Sequence, residues 1–350
     1  MMQSKVYKGR DAQQSEAPWS VFFLIADAEN GKRTGSSTIC TGTLISPRHI
    51  IFATHCIAEL QLDASWKIMD HKADNSNCKD NDYIITDESV LDRISIQSNG
   101  VTVSEWPEKV TVINGCIKRT ANKTKSFNNV GPSYYTDDIA IIDLYEDLKF
   151  SSSLQTVCLA KDSSANKEST ILDYFGFGLN PPADKDTSDR TIDDNSGKLR
   201  HETIQVQAKE YEEYNFLAWN EKKVTVTCVG DSGGGAIGTI DGKKTIVGVL
   251  SQTNCADHTK RGEPVELYTS VGYYNERICK LTGICDTDQE YTKNHPNYVK
   301  QAKPPRPTKP PVQQNSDGGV QSQRPIGQPD GANEKYIFMT LFLIFVAMMI

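Results

Sequence analysis

The sequence predicts an all-β fold for residues 6–285, and three observations carry that expectation. The apolar runs in this part are short and rich in β-branched residues. Clusters of Gly, Asn, Asp and Pro separate them, at the spacing of short strands in a sandwich or barrel. Alternating helices of the kind that cover a parallel sheet are missing.

In order, the runs are Val21–Ile25, Thr43–Ile45, Ile139–Leu144, Thr203–Val206, Val224–Val226 and Thr245–Leu250. Their β-branched side chains are stiff at the first torsion and fit a pleated surface. Tyr273–Leu281 reads as a short terminal helix. No internal repeat with a period of 20–50 residues is present.

The composition changes after residue 285. Residues 286–335 hold eight of the chain's fifteen prolines, no cysteine and no leucine. Runs such as Lys303-Pro304-Pro305-Arg306-Pro307 favour extended, solvated backbone. This segment reads as a disordered stalk. Residues 336–350, YIFMTLFLIFVAMMI, form an uncharged hydrophobic tail. As a helix the tail would span about 22 Å, short of the roughly 30 Å hydrocarbon core of a bilayer.

A stalk ending in an apolar tail is a membrane-tether pattern. Two tethers fit it, a short C-terminal membrane helix and a removed signal for a glycolipid anchor. Asp317-Gly318-Gly319 and Ser322 supply the small residues that such a signal wants. The chain start, MMQSKVYKGRDAQQ, has no apolar run like a secretory signal. Cysteines and a stalk nevertheless point to the extracellular side. The expectation is a cell-surface protein with a signal segment upstream of Met1.

Composition excludes some function classes. The chain has 350 residues, of which 37% are hydrophobic and 24% charged, enough apolar material for a real core. A net charge of -7 lacks the basic footprint of a nucleic-acid binder. Among nine cysteines no C-x-x-C pair occurs, which argues against zinc. The aspartate-rich run Asp184–Asp194 reads as a solvated loop rather than a calcium site. Neither metal nor cofactor is expected. Asn122-Lys123-Thr124 is a glycosylation acceptor pattern.

Three short motifs carry chemistry. Gly230-Asp231-Ser232-Gly233-Gly234-Gly235 surrounds a serine with glycines, which allow a tight turn and close approach of backbone N–H groups. A serine hydroxyl is a poor nucleophile and needs a base beside it. Phe52-Ala53-Thr54-His55-Cys56 offers His55 as that base. The other histidines, His49, His71, His201, His258 and His295, have no comparable context. Asp137-Asp138-Ile139-Ala140-Ile141 places Asp138 at the mouth of an apolar strand, where it would be buried if it bonds the base.

Taken together the motifs resemble the trypsin- and chymotrypsin-like serine protease family. The family's Ala-Ala-His-Cys is similar to Ala53-Thr54-His55-Cys56, and its Asp-Ile-Ala-Leu to Asp138-Ile139-Ala140-Ile141. Its Gly-Asp-Ser-Gly-Gly-Pro matches Gly230–Gly234, with Gly235 in place of proline. The resemblance covers roughly residues 6–278. Asp138 and Ser232 lie 94 residues apart, close to the family norm, whereas the 83 from His55 to Asp138 are long. The excess falls in an insertion from Asp63 to Asn129. Gly230–Gly234 also fits the G-x-S-x-G turn of α/β-hydrolases, but that fold places its acid and histidine after the serine. His258 and His295 do follow Ser232, in a loop and in the stalk.

The resemblance implies two six-stranded antiparallel Greek-key barrels with a short C-terminal helix. It implies a serine endopeptidase with a His55, Asp138 and Ser232 triad and an oxyanion hole from the Gly230 and Ser232 N–H groups. Residues 1–5 would be the remnant of an activation segment, and a cut after Lys5 would free the Val6 amine to pair with Asp231. Tyr7 and Lys8 depart from the family's start, while Pro18-Trp19 follow at family spacing. The specificity pocket falls on Val226, Ser251, Thr253 and Glu266. Val226 stands where trypsin-like enzymes have aspartate, so small or medium apolar side chains are expected first. A basic preference through Glu266 comes second.

Implied disulfides are Cys40–Cys56 and Cys228–Cys255. Cys78 with Cys116, and Cys279 with Cys285, are further pairs that sequence alone does not fix. Cys158 is left over, at a position where the family often bonds an activation segment. Partners implied are a polypeptide substrate, protein inhibitors and a membrane through the tail. Departures at Gln252, Thr253, Glu266 and the chain start keep an alternative open, a catalytically weak or silent protease-like binding module.

Overall fold

Two antiparallel sheets carry almost all of the regular structure in a computed structural model of the chain. It describes residues 9–285 except 30–31, 62–64, 70–74, 99–100, 103–105, 118–136, 179–196, 208–212, 224, 254 and 256–264. Val6 and the activation segment, Asn122-Lys123-Thr124, Asp184–Asp194, the stalk and the tail lie outside the described residues, as do His71, His258 and His295.

The N-terminal sheet starts from Ser20–Glu29, whose β-branched and aromatic side chains suit a pleated surface. It pairs with Lys32–Leu44 on one side and Ile94–Ser98 on the other. Lys32–Leu44 leads to His49–Phe52, then Ala140–Leu144, then Pro107–Val112. These six strands match the number expected, but their pairings among the described residues run as an open sheet rather than closing into a ring. Three short strands, Cys78–Lys79, Asp82–Ile85 and Val101–Thr102, extend the sheet to nine. All three lie between residues 63 and 129, but so do Ile94–Ser98 and Pro107–Val112, so the stretch that reads as one insertion also carries two of the six strands.

In the C-terminal half, Ile171–Gly176 pairs with Arg200–Val206, which pairs with Asn215–Trp219. The ring continues through Glu266–Ser270, Lys243–Thr253 and Gly235–Ile240, and returns to Ile171–Gly176. Six strands thus close on themselves, leaving no open edge in this ring. Arg10–Asp11 adds to the outside of Arg200–His201.

The terminal helix runs Val271–Thr282, starting two residues earlier than its apolar pattern suggests. Ser270 explains the shift, because its side chain accepts from the Tyr273 N–H and caps the first turn. Gly283, at φ +79°, ends the helix in the left-handed conformation. Val224–Val226 reads as a strand by composition, yet Thr225–Thr227 belong to none of the strands. Thr227 is instead tied to Glu266 and Thr253 by its own N–H and carbonyl.

One apolar cluster joins both halves, through Trp19, Phe23, Phe52, Ile141, Phe177 and Ile246 among others. A second fills the closed barrel around Tyr174, Phe216, Leu250 and Tyr268. The disulfides are Cys40–Cys56, Cys78–Cys116, Cys228–Cys255 and Cys279–Cys285. Cys158 is buried on a short strand parallel to Lys243–Thr253 and joins no disulfide with a described residue. No helix among the described residues is long and apolar enough to cross a membrane.

Candidate active site

His55 sits on a single 3-10 turn, Thr54–Cys56, entered directly from strand His49–Phe52. The Cys40–Cys56 bridge ties this turn to the neighbouring strand Lys32–Leu44. Asp138 lies two residues before strand Ala140–Leu144 and is fully buried. Its Oδ2 lies 2.7 Å from His55 Nδ1, and its Oδ1 accepts the His55 backbone N–H at 2.9 Å. Ser251 Oγ donates to the same Oδ2 at 2.6 Å. With the carboxylate ionised, its hydrogen bond favours the tautomer with the proton on Nδ1, leaving Nε2 as the basic nitrogen.

Ser232 arrives from the C-terminal half. Its carbonyl accepts the Thr41 N–H at 2.9 Å and lies 3.8 Å from Cys56 Sγ, one residue beyond His55. The Ser232 hydroxyl has no hydrogen bond to any described residue. The loop around it is shaped by backbone freedom, with Gly230 at φ +96° and Gly233 at φ +87°. A Cβ on Gly233 would lie 2.4 Å from the Thr41 carbonyl oxygen, so that approach requires glycine.

Two carbonyls of this loop are held by side-chain hydroxyls. Thr41 Oγ1 donates to the Gly230 carbonyl at 2.9 Å, and Tyr174 Oη to the Asp231 carbonyl at 2.5 Å. The N–H groups of Gly230 and Ser232 have no acceptor among the described residues. Two unengaged donors two residues apart are what an oxyanion hole needs.

Asp231 points the other way, into the protein. It is buried, with Oδ1 taking the Gly178 N–H and Oδ2 the Cys228 N–H, each at 2.8 Å. Burial pushes its carboxyl up to about 6, against the pull of those two N–H groups and of Arg200. Arg200, itself buried, donates from Nη1 to the Gly178 carbonyl at 2.5 Å.

Of the pocket residues, Val226 is fully buried and uncharged. Thr253 Oγ1 donates to the Thr227 carbonyl at 2.6 Å, joining the segment after Val226 to strand Lys243–Thr253. Glu266 is also fully buried, with Oε1 accepting from the Thr227 N–H and Oε2 from Tyr268 Oη, both at 2.7 Å. Burial pushes Glu266 up to about 7, and the neighbouring carboxyl of Glu202 is also raised by burial and by Glu266. The Ser251 hydroxyl is engaged by Asp138.

A second Ser-His-Asp set is present. Ser46 Oγ lies 2.7 Å from His49 Nδ1, and His49 Nε2 lies 3.1 Å from Asp143 Oδ1. Burial raises the Asp143 carboxyl, but His49 and Lys109 outweigh it and hold the group below its usual range. Ser46 and His49 have no exposed surface, so no substrate carbonyl reaches them. The motif around His49 gave no sign of this set, since Asp143 comes opposite His49 only when strands His49–Phe52 and Ala140–Leu144 pair.

Comparison with known proteins follows the same lines. The model of the nematode trypsin-6-like family matches residues 1–285. The CLIP domain-containing serine protease B15 of Anopheles gambiae is 21% identical over 263 residues, covering 71% of this chain and 62% of that protein. Spermosin of Halocynthia roretzi is 23% identical over 287 residues, covering 80% and 63%. The chain therefore spans less than two thirds of the length of these curated relatives. Among solved structures, the inactivated protease paralogue S-D1 of the scabies mite superposes with a TM-score of 0.52 at 16% identity. That match covers 79% of this chain and 97% of the mite chain, and it is a likeness of fold.

Proposed function

The chain belongs to the nematode trypsin-6-like family, and from that premise we propose that it is a serine endopeptidase using His55, Asp138 and Ser232. One observation carries this reading. The buried Asp138 carboxylate grips the His55 ring at 2.7 Å, beside a serine whose loop offers two unengaged N–H groups.

Ser232 Oγ attacks the scissile carbonyl carbon while His55 Nε2 takes the hydroxyl proton. Negative charge grows on the carbonyl oxygen, where the Gly230 and Ser232 N–H groups receive it. His55 returns the proton to the leaving amine as the C–N bond breaks, leaving an acyl ester on Ser232. Water, deprotonated by His55, then hydrolyses that ester. Asp138 holds the ring and stabilises its charged form throughout, and Ser251 holds Asp138. The serine–histidine bond forms once substrate fills the site.

Small apolar side chains suit the primary pocket best. Thr253 bridges to Thr227, and the Glu266 carboxylate is already engaged by Thr227 and Tyr268. Both weigh against a long basic side chain. The enzyme acts on polypeptides at or outside a cell surface, meets protein inhibitors there, and is tethered through residues 336–350. The bridge from Thr253 to Thr227 also favours a second reading, a protease-like binding module whose pocket admits no side chain.

A fluorophosphonate probe on the full chain separates the two. Labelling that Ser232→Ala abolishes supports the endopeptidase. A correctly folded sample that takes no label at any pH from 5 to 9 sinks it and leaves the binding module. A peptide-library cleavage profile then reads the pocket.

A further inference from the structure

The activation step implied by the resemblance asks for a cation beside the Asp231 carboxylate and assigns it to the Val6 amine. Among the described residues, Arg200 reaches that carboxylate through one peptide unit, that of Gly178. Arg200 opens strand Arg200–Val206, and only 1% of its surface is exposed. Its Nη1 donates to the Gly178 carbonyl at 2.5 Å, and the Gly178 N–H donates to Asp231 Oδ1 at 2.8 Å. Guanidinium, Gly178 and carboxylate thus form one buried chain. A Cβ on Gly178 would lie 2.4 Å from Asp231 Cγ, so the approach depends on glycine.

The charges around this chain are few. Glu202, Glu266 and the Tyr174 phenol face Asp231, and Asp11 faces Arg200. Arg200 is the one cation among these groups. Without it, Asp231 would face, among the described residues, only carboxyls and a phenol in a low-dielectric interior, where a carboxylate is disfavoured.

We propose, resting on the endopeptidase reading above, that Arg200 is the positioning residue of the oxyanion loop. Its guanidinium supplies the internal counter-charge that keeps Asp231 ionised and the Gly230 and Ser232 N–H groups turned into the site. The chain is then competent without a cut before Val6. Arg200 touches neither substrate nor reacting atoms and acts through Gly178 and Asp231.

The test uses the full chain in two forms, one kept intact by Lys5→Gln and one cleaved after Lys5. Both are expected to react with a fluorophosphonate at rates within about threefold of each other. Arg200→Lys keeps most of that rate. Arg200→Met lowers it by roughly 30-fold near neutral pH. Its acid limb also moves to higher pH, because loss of an opposite charge favours the protonated carboxyl. Reaction of the cleaved form alone overturns the proposal, and that comparison needs no substitution at Arg200. So does an Arg200→Met chain with the wild-type rate and acid limb.

If neither form reacts, the endopeptidase reading fails, and the Asp231 carboxyl is then read by carbon-13 NMR. A titration midpoint raised in Arg200→Met but not in Arg200→Lys still upholds Arg200 as the counter-charge. An unmoved midpoint overturns it.

Discussion

Ser251 and Thr253 stand two residues apart on one strand, and their hydroxyls serve different ends. Ser251 is one of three donors to the Asp138 carboxylate. Removing it leaves a buried oxygen with one fewer bond, a loss of about 1–3 kcal/mol. Ser251→Ala should therefore slow fluorophosphonate labelling by about tenfold or more and lower the melting temperature by about 2–4 °C for each kcal/mol lost. A wild-type labelling rate would mean that His55 alone holds Asp138. Thr253 instead bridges to the Thr227 carbonyl. Thr253→Gly removes the bridge and opens the slot, so the library profile should move from alanine towards leucine and phenylalanine by roughly 10-fold or more. An unmoved profile would place the limit at Glu266. At this scale the sequence showed His55, Asp138 and Ser232, because each lies in a motif whose neighbours are legible. It hid Arg200, Glu202 and Tyr174. A charged residue inside Lys198-Leu199-Arg200-His201-Glu202 looks solvated until the barrel closes around it.

Secondary elements were legible where local signals agreed with tertiary context. Ala140–Leu144 and Lys243–Thr253 carry the β-branched runs that announced them. Thr225–Thr227 carry the same composition without forming a strand. There the Cys228–Cys255 bridge and the bonds of Thr227 to Glu266 and Thr253 set the backbone instead. The terminal helix shows how one cap fixes a boundary. Ser270 accepts from the Tyr273 N–H and from Asn166 Nδ2, joining the helix to the segment Ser163–Asn166. Ser270→Ala should cost about 1–2 kcal/mol, at the upper end for a cap because a buried partner is also left unbonded. Thermal unfolding measures it, and a loss under about 0.3 kcal/mol would mean that the helix is held by Val271, Tyr274 and Ile278 alone. On the opposite side Arg277 pairs with Asp82 at 2.6 Å, so the helix also clamps the long insertion.

For the whole molecule, stability and activity should respond to pH in opposite senses. Glu202, Glu266 and Asp231 are buried together and all three carboxyls are raised, with Glu266 at about 7 and Asp231 at about 6. Burial is the first cause in each. Above their ordinary values of 4.5 and 3.8, the unfolded chain has lost protons that the folded chain still holds. Stability from these groups is therefore complete below pH 3.8 and is lost as pH rises through about 7. The melting temperature should fall between pH 5 and 7.5, by about 2–4 °C for each kcal/mol lost. Catalysis needs the ionised Asp231, so labelling should rise across the same interval. Glu266→Gln removes one titrating group while retaining an acceptor for the Thr227 N–H. It should flatten the melting curve against pH and leave the rise in labelling in place. If the wild-type melting temperature does not fall across this interval, the buried carboxyls are not holding protons in the folded chain. The acidic barrel interior would then be ionised and balanced by a cation beyond Arg200.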